Sequence, residues 1–368
     1  MVKCTVRGGA GRSIGPNRLM RNTSNVEGGK DFGVAIMKRI RTLVSIAIPS
    51  VLLLLVGTVI TRLTIAQSPR TTSKPGEDRS EMVLIPGGVF DMGTERGRLP
   101  AIVQWIKRVY PDRNPTEKTF EDETPSHSVE IDSFSIDRYE VTNARYRTFV
   151  RATGHREPVG MAIVKRDGEF VTDSRFRPWS DSNFNRDQQP VVAVSRDDAQ
   201  EFCRWAGKRL PTEAEWEKAA RGGVNGKEFS WGDDWPPPAG AGNFAEVSFK
   251  KVFTEDRFGA FAGYDDGSVF PADVGSFRAN GYGLFDMDGN VSEWVQDDYS
   301  SEYYRNSPRR NPTGPGNGGD EGNAVARGGS WFYKSAHVIR VAKREDGPPS
   351  WKGFDQGFRC AVSDKKPG

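Results

Sequence analysis

The sequence predicts an α+β domain with few long regular elements, following one N-terminal hydrophobic segment. Three observations carry that expectation. The chain of 368 residues holds 41 glycines, 23 prolines and 9 tryptophans, a composition that favours many turns around aromatic anchors. Helix-start signals recur, but the periodic segments behind them are short. One uncharged apolar run, Thr42 to Thr61, stands apart from everything after it.

The N-terminal part reads as a targeting segment. Residues 1–41 carry nine Lys/Arg against two acids, so the rest of the chain is mildly acidic although the total is +3. Nothing in that balance calls for nucleic acid. Lys38, Arg39 and Arg41 precede the apolar run, an order that keeps the N-terminus inside and exports the remainder of the chain. The run is long enough to span a bilayer as a helix. Two fates fit it. It stays as a membrane anchor over 42–61, or it is a signal peptide cut after Thr64-Ile65-Ala66. Met37 is an alternative start, which would leave residues 1–36 untranslated. Either fate places the C-terminal part outside the cytoplasm. Residues 42–66 then form the anchor or signal, and 67–80 a polar linker.

Along the exported part, Met82–Ile85 and Val89–Met92 flank Pro86-Gly87-Gly88 and read as a β-hairpin. Residues 94–126 form a charged insertion in which Ile102, Val103, Trp105 and Ile106 predict a short helix. Val129 to Ile136 alternates like an edge strand. Thr142 caps a helix through Val150, with Gly154 beyond its end. Ser195 with Asp198, and Thr212 with Glu215, are capping boxes for helices to Ala206 and Ala220. After Gly222 the pattern is of loops and short strands, without internal repeat.

The chemistry-bearing residues are sparse. His127, His155 and His337 lie far apart, with no HxH or HExxH spacing, and do not predict a transition-metal site. No GxSxG, Walker loop or dinucleotide fingerprint occurs. Of three cysteines, Cys203 and Cys360 lie in the exported part, where they form either one bridge or two separate buried thiols. Two loops, 263–268 and 286–290, set carboxylates around a tight glycine turn. Such loops suit a hard cation or, equally, simple Asx turns.

Six blocks then occur in order: MVLIPGGVFDMG (82–93), DRYEVTNARYRTFV (137–150), QPVVAVSRDDAQEFCRWAGKRLPTEAEWEKAARGG (189–223), NGYGLFDMDGNVSEW (280–294), RGGSW (327–331) and GFRC (357–360). Together they resemble the formylglycine-generating enzyme, or sulfatase-modifying factor, domain over 81–362, leaving 363–368 as a tail. The resemblance implies a compact fold of the C-type lectin-like class with little regular secondary structure. It also implies that Cys203 and Cys360 are a disulfide pair. Two structural calcium ions are implied as well. Asn243, Phe244, Asp266 and Ser268 fall on the first site. Asp286, Gly289 and Val291, with Glu140, fall on the second.

One departure bears on activity. Enzymes of this family oxidise the cysteine of a Cys-x-Pro-x-Arg segment in sulfatases with copper and oxygen. Their copper sits between two cysteines shortly after the GGS motif. Here the resemblance puts Tyr333 and Val338 at those positions, and Ser292 where a tryptophan is usual. Cu(I) requires soft thiolates, so copper is not expected. The candidate cleft is marked by Ser330, Tyr333, His337 and Arg340. The expected function is binding of sulfatase or other exported protein segments by a calcium-stabilised domain. The alternative is a sulfatase-maturing oxidase. Sulfoxide synthases that share this domain take iron ligands from an added histidine-bearing bundle, which three scattered histidines do not supply.

Overall fold

A computed structural model describes residues 80–364, apart from 112 and 317. The apolar run 42–61 and the linker as far as Arg79 therefore lie outside the described residues. No helix among the described residues is long and apolar enough to cross a membrane.

Strand β1 (Met82–Ile85) pairs antiparallel with β4 (Phe134–Asp137), while β2 (Gly88–Met92) pairs with β3 (His127–Ile131). The expected hairpin between β1 and β2 is therefore corrected. Both strands run along the 127–137 segment, and Pro86-Gly87-Gly88 breaks one long ladder into two sheets. The chain passes so close there that a Cβ on Gly87 would stand 2.9 Å from the Ser133 nitrogen. The expected edge strand 129–136 is likewise two strands. β4 lies in the middle of its sheet, because β11 (Ala361–Ser363) returns from the far end of the chain to its other side. Alternation reports which face is buried, but not how many neighbours a strand has.

The helices form where the sequence signals place them, the first by its apolar residues and the next three by their caps. Helix α1 (Leu99–Val109) buries Leu99, Ile102 and Ile106. In α2 (Asn143–Thr153) the Thr142 hydroxyl accepts from the Arg145 nitrogen, and left-handed Gly154 ends the helix. Both predicted capping boxes are present, opening α3 (Arg196–Trp205) and α4 (Glu213–Ala220). α2 and α3 meet through Tyr146 and Phe202, whose rings stack at 5.7 Å. Sequence reasoning missed the hairpin of β5 (Gly160–Arg166) and β6 (Glu169–Phe176). Its Asp167-Gly168 turn, with both residues at positive φ, was the available signal.

The central sheet has the order β10-β7-β8-β9, built from β7 (Ser292–Asp298), β8 (Ala324–Arg327), β9 (Glu345–Gly347) and β10 (Gln356–Phe358). β10 runs parallel to β7. Against this sheet packs α4, every residue of which is buried despite its acidic sequence. The acids are matched. Arg327 pairs with Glu213 at 2.6 Å and Glu217 at 2.7 Å, and Arg344 pairs with Glu213 at 2.8 Å. Tyr304 adds its hydroxyl to both glutamates. The Cys203–Cys360 disulfide ties α3 to the end of the chain across 157 residues, with its Cα atoms 5.7 Å apart. Closing so long a loop removes roughly 5 kcal/mol of freedom from the unfolded chain in the chain-entropy picture.

Candidate functional site

Two neighbouring loops concentrate oxygen atoms away from water. In the first, the Asp266 carboxylate accepts from the Phe244 nitrogen at 3.0 Å and the Ser268 nitrogen at 2.7 Å. The buried Asn243 lies next to Phe244, and its Oδ1 has no hydrogen-bond partner among the described residues. Burial pushes the Asp266 carboxyl up to about 8, and Glu246 and Asp265 add like charge. Glu246 is itself raised, chiefly by burial, and its Oε1 is also without a partner among the described residues. Sequence reasoning placed Asp265 in the carboxylate loop but missed Glu246. Three residues after Asn243, Glu246 was the readable signal.

The second loop obeys the same logic. Asp286 accepts from the Gly275 nitrogen through Oδ2, while its Oδ1 is buried without a partner among the described residues. Its carboxyl rises to about 6 through burial. Glu140 accepts from the Val291 nitrogen at 3.1 Å and the Asn290 amide at 2.7 Å, so the predicted Glu140, Asp286 and Val291 do converge. Glu140 is raised well above the usual carboxylate range by burial and then by Asp286 and Glu293. Gly289 allows the turn. At φ +89°, its Cβ would lie 2.4 Å from the Asn243 carbonyl oxygen of the first loop. The Asn243 amide also donates to Asn290 at 3.2 Å, which ties the loops together. Glu293, two residues past Val291, was missed as a member of this group. Arg359 holds it at 2.7 Å, which places one guanidinium beside three carboxylates.

Buried carboxylates raised by desolvation, with orphaned oxygens aimed inward, are the donor set of a hard cation. The residues fit calcium. They are oxygen-only, and backbone carbonyls lie at tight turns. Among the described residues no three His, Cys, Asp or Glu side chains stand close enough to make a site on their own, so carbonyl and amide oxygens would have to share the coordination.

The candidate cleft lies on another face of the GGS segment. A cavity of about 420 Å³ is lined by Phe249, Phe258, Phe332, Tyr333, His337 and Val338, among others. The rings pack edge-to-face, with Phe249–Phe332 at 5.5 Å and Phe258–Phe332 at 6.0 Å. Tyr333 donates its hydroxyl to Glu345 at 2.5 Å, and Ser330 donates to Asp355 at 2.9 Å. Burial pushes the Glu345 carboxyl up to about 7. Asp355 moves the same way for the same reason. Neither acid was expected from sequence, since Glu345 opens a three-residue strand and Asp355 lies in a turn, and neither carries a periodic signal.

His337 accepts from or donates to Ser335 through Nδ1 at 2.6 Å. Burial lowers it to about 4, and Lys343, Arg113 and Arg340 act in the same direction. The structure thus brings Tyr333 and His337 to the cavity wall, while Ser330 is buried against Asp355 and does not line it. It does not bring Arg340 to the cavity wall. Arg340 is buried between Glu123 at 2.7 Å and Glu228 at 2.5 Å, where it acts as a structural ion pair. The donors near the cavity are a phenol, hydroxyls, carboxylates and one imidazole. Cys203 and Cys360 are bridged, and the third cysteine, Cys4, lies outside the described residues. These residues do not fit Cu(I), which requires thiolates.

Residues 67–364 match the sulfatase-modifying factor enzyme 1-like domain. The formylglycine-generating enzyme of Streptomyces coelicolor is 36% identical over 323 residues, covering 80% of this chain and 93% of that protein. The inactive C-alpha-formylglycine-generating enzyme 2 of Bos taurus is 30% identical over 317 residues, covering 78% and 89%. Among solved structures, PvdO from Pseudomonas aeruginosa superposes with a TM-score of 0.54 at 27% identity, covering 79% of this chain and 99% of that one.

Proposed function

The chain belongs to the sulfatase-modifying factor enzyme 1-like family, and from that premise we propose that it is an exported, calcium-stabilised member that binds protein segments in the aromatic cleft without copper chemistry. The observation that carries this reading is the Tyr333–Glu345 contact, which sets a phenol and a carboxylate at one of the two positions where the family's copper mechanism needs sulfur, with Val338 at the other. The family contains both active and inactive proteins by name, so membership alone leaves the activity open.

Calcium would be held by Asn243, Phe244, Asp266 and Ser268 in the first loop, and by Asp286, Gly289, Val291 and Glu140 in the second. It would supply positive charge beside Asp266 in the first loop, and in the second it would add to the charge that Arg359 already brings. The cleft binds by shape and by its rings. Phe249, Phe258 and Phe332 bury an apolar side chain of the bound segment, and each buried ring or aliphatic group contributes about 1.5–3 kcal/mol.

The test is mass spectrometry of a Cys-x-Pro-x-Arg peptide incubated with the protein, calcium and Cu(I) under air. The peptide should return unchanged while a cysteine-paired relative converts it. Conversion of its cysteine to formylglycine would instead support the sulfatase-maturing oxidase and require a metal site other than two thiolates.

A further inference from the structure

The cleft has a charge pattern as well as an apolar floor. Three cationic side chains border it: Arg113, Arg257 and Lys334. Arg113 is half-buried, and its guanidinium has no ion-pair or hydrogen-bond partner among the described residues. Arg257 lies 4.8 Å over the Phe258 ring and donates to the Phe170 carbonyl, while Glu255 pairs with it at 2.7 Å. Lys334 reaches back to the Arg257 carbonyl, so these two cations share one side of the opening.

The acids close to the inner wall do not cancel this field. Glu345 and Asp355 are engaged by Tyr333 and Ser330, and burial moves both towards the neutral form. His337, on the same wall, feels Lys343, Arg113 and Arg340 as repulsion of its own positive charge. The cleft is thus apolar at its floor and bordered by three cations, of which Glu255 balances Arg257. Beside low-dielectric walls, a charge discriminates more strongly than it does on open surface.

We propose that the cleft selects acidic segments, in which an apolar or aromatic side chain is flanked by carboxylates, and disfavours segments that carry arginine or lysine beside it. This rests on the reading of the cleft as a site for protein segments, and adds to it the chemical class of the occupant. The apolar side chain would enter between Phe249, Phe258 and Phe332. The flanking carboxylates would meet Arg113 on one side and Arg257 with Lys334 on the other. A Cys-x-Pro-x-Arg segment would bring its own cation to this positive rim, and like-charge contact is a strong device for excluding a partner.

The test uses the full chain and three dye-labelled peptides of equal length: phenylalanine flanked by glutamates, phenylalanine flanked by lysines, and a Cys-x-Pro-x-Arg peptide. Affinities are read by fluorescence anisotropy at low and high salt. The glutamate peptide should bind about tenfold tighter than either other peptide at low salt, with the gap narrowing as salt rises. Arg113→Glu should weaken the glutamate peptide by about fivefold to tenfold and leave the melting temperature unchanged, since Arg113 holds no partner among the described residues that its loss would orphan. Arg113→Gln should give a smaller loss in the same direction. Equal affinity for all three peptides, or preference for the lysine or arginine peptide, overturns the charge selection while leaving segment binding in place. If none of the three binds, the segment-binding reading falls and this inference falls with it.

Discussion

Calcium should stabilise this domain more at pH 8 than at pH 5, and the reason lies in Asp266. In the metal-free fold its carboxyl is pushed from 3.8 to about 8, chiefly by burial. Between those values the folded state keeps a proton that the unfolded chain has already released. Stability therefore falls as pH rises through that window, at about 1.4 kcal/mol per pH unit. Over a span of roughly four pH units, the loss reaches at most about 6 kcal/mol. Asp286, raised to about 6, adds to the loss in the lower half of the window. A cation that binds the ionised carboxylates removes this loss, so its effect grows with pH. At a hundredfold excess over its dissociation constant, calcium contributes about 2.7 kcal/mol, or about 5 °C in melting temperature for a domain of this size.

The assay is calorimetry of the chelator-treated protein with and without millimolar calcium across pH 5 to pH 8. Asp266→Asn removes the charge and keeps the shape, although the amide meets one of the two backbone donors, Phe244 or Ser268, with its own NH₂ at a cost of about 1 kcal/mol. That variant should show a flatter pH profile and a smaller calcium shift. Asp266→Asn with Asp286→Asn should show almost no shift. A full calcium shift in the double variant, or no shift in the wild type at pH 8, refutes the reasoning.

The core ion pairs, the disulfide and the cleft wall each carry an expectation of their own. Arg327→Ala leaves Glu213 and Glu217 buried without one of their main partners and should destabilise by about 3–5 kcal/mol by denaturant titration, whereas Arg327→Met costs less than that only if the glutamates are also replaced. Cys203→Ala with Cys360→Ala should lower stability by roughly 5 kcal/mol at most, and reductant should produce the same change in the wild type only after unfolding, because both sulfurs are buried. Glu345 is raised to about 7, so it contributes a loss of stability as pH rises from 4.5 to 7. Glu345→Gln should flatten that part of the profile and, by removing the acceptor's charge, shift the ultraviolet titration of Tyr333 downward.

How far each element was legible in the sequence depended on the range of the interaction that makes it. Helix starts are local. Thr142, Ser195 and Thr212 each satisfy a backbone donor three residues away, so the sequence carries the whole device. Strand partnership is not local. β11 pairs with β4 across more than 200 residues, and nothing within Val129 to Ile136 reports it. The same limit explains α4. Its Glu-rich pattern looks solvated until Arg327 and Arg344, more than 100 residues on, neutralise it inside the core.

The candidate sites divide along the same line. Asp266, Asp286 and Gly289 stood out because loop carboxylates beside a tight glycine turn make a local pattern. Glu293, Glu345 and Asp355 did not, because each acquires its meaning from a residue brought to it by the sheet. Glu345 illustrates the point most fully. By itself it is one acid on a three-residue strand. Placed against Tyr333 it becomes a buried acceptor behind the wall of the cleft, with its carboxyl raised by that burial. Here Tyr333 and Glu345 instead form a buried phenol–carboxylate pair beside the aromatic cavity.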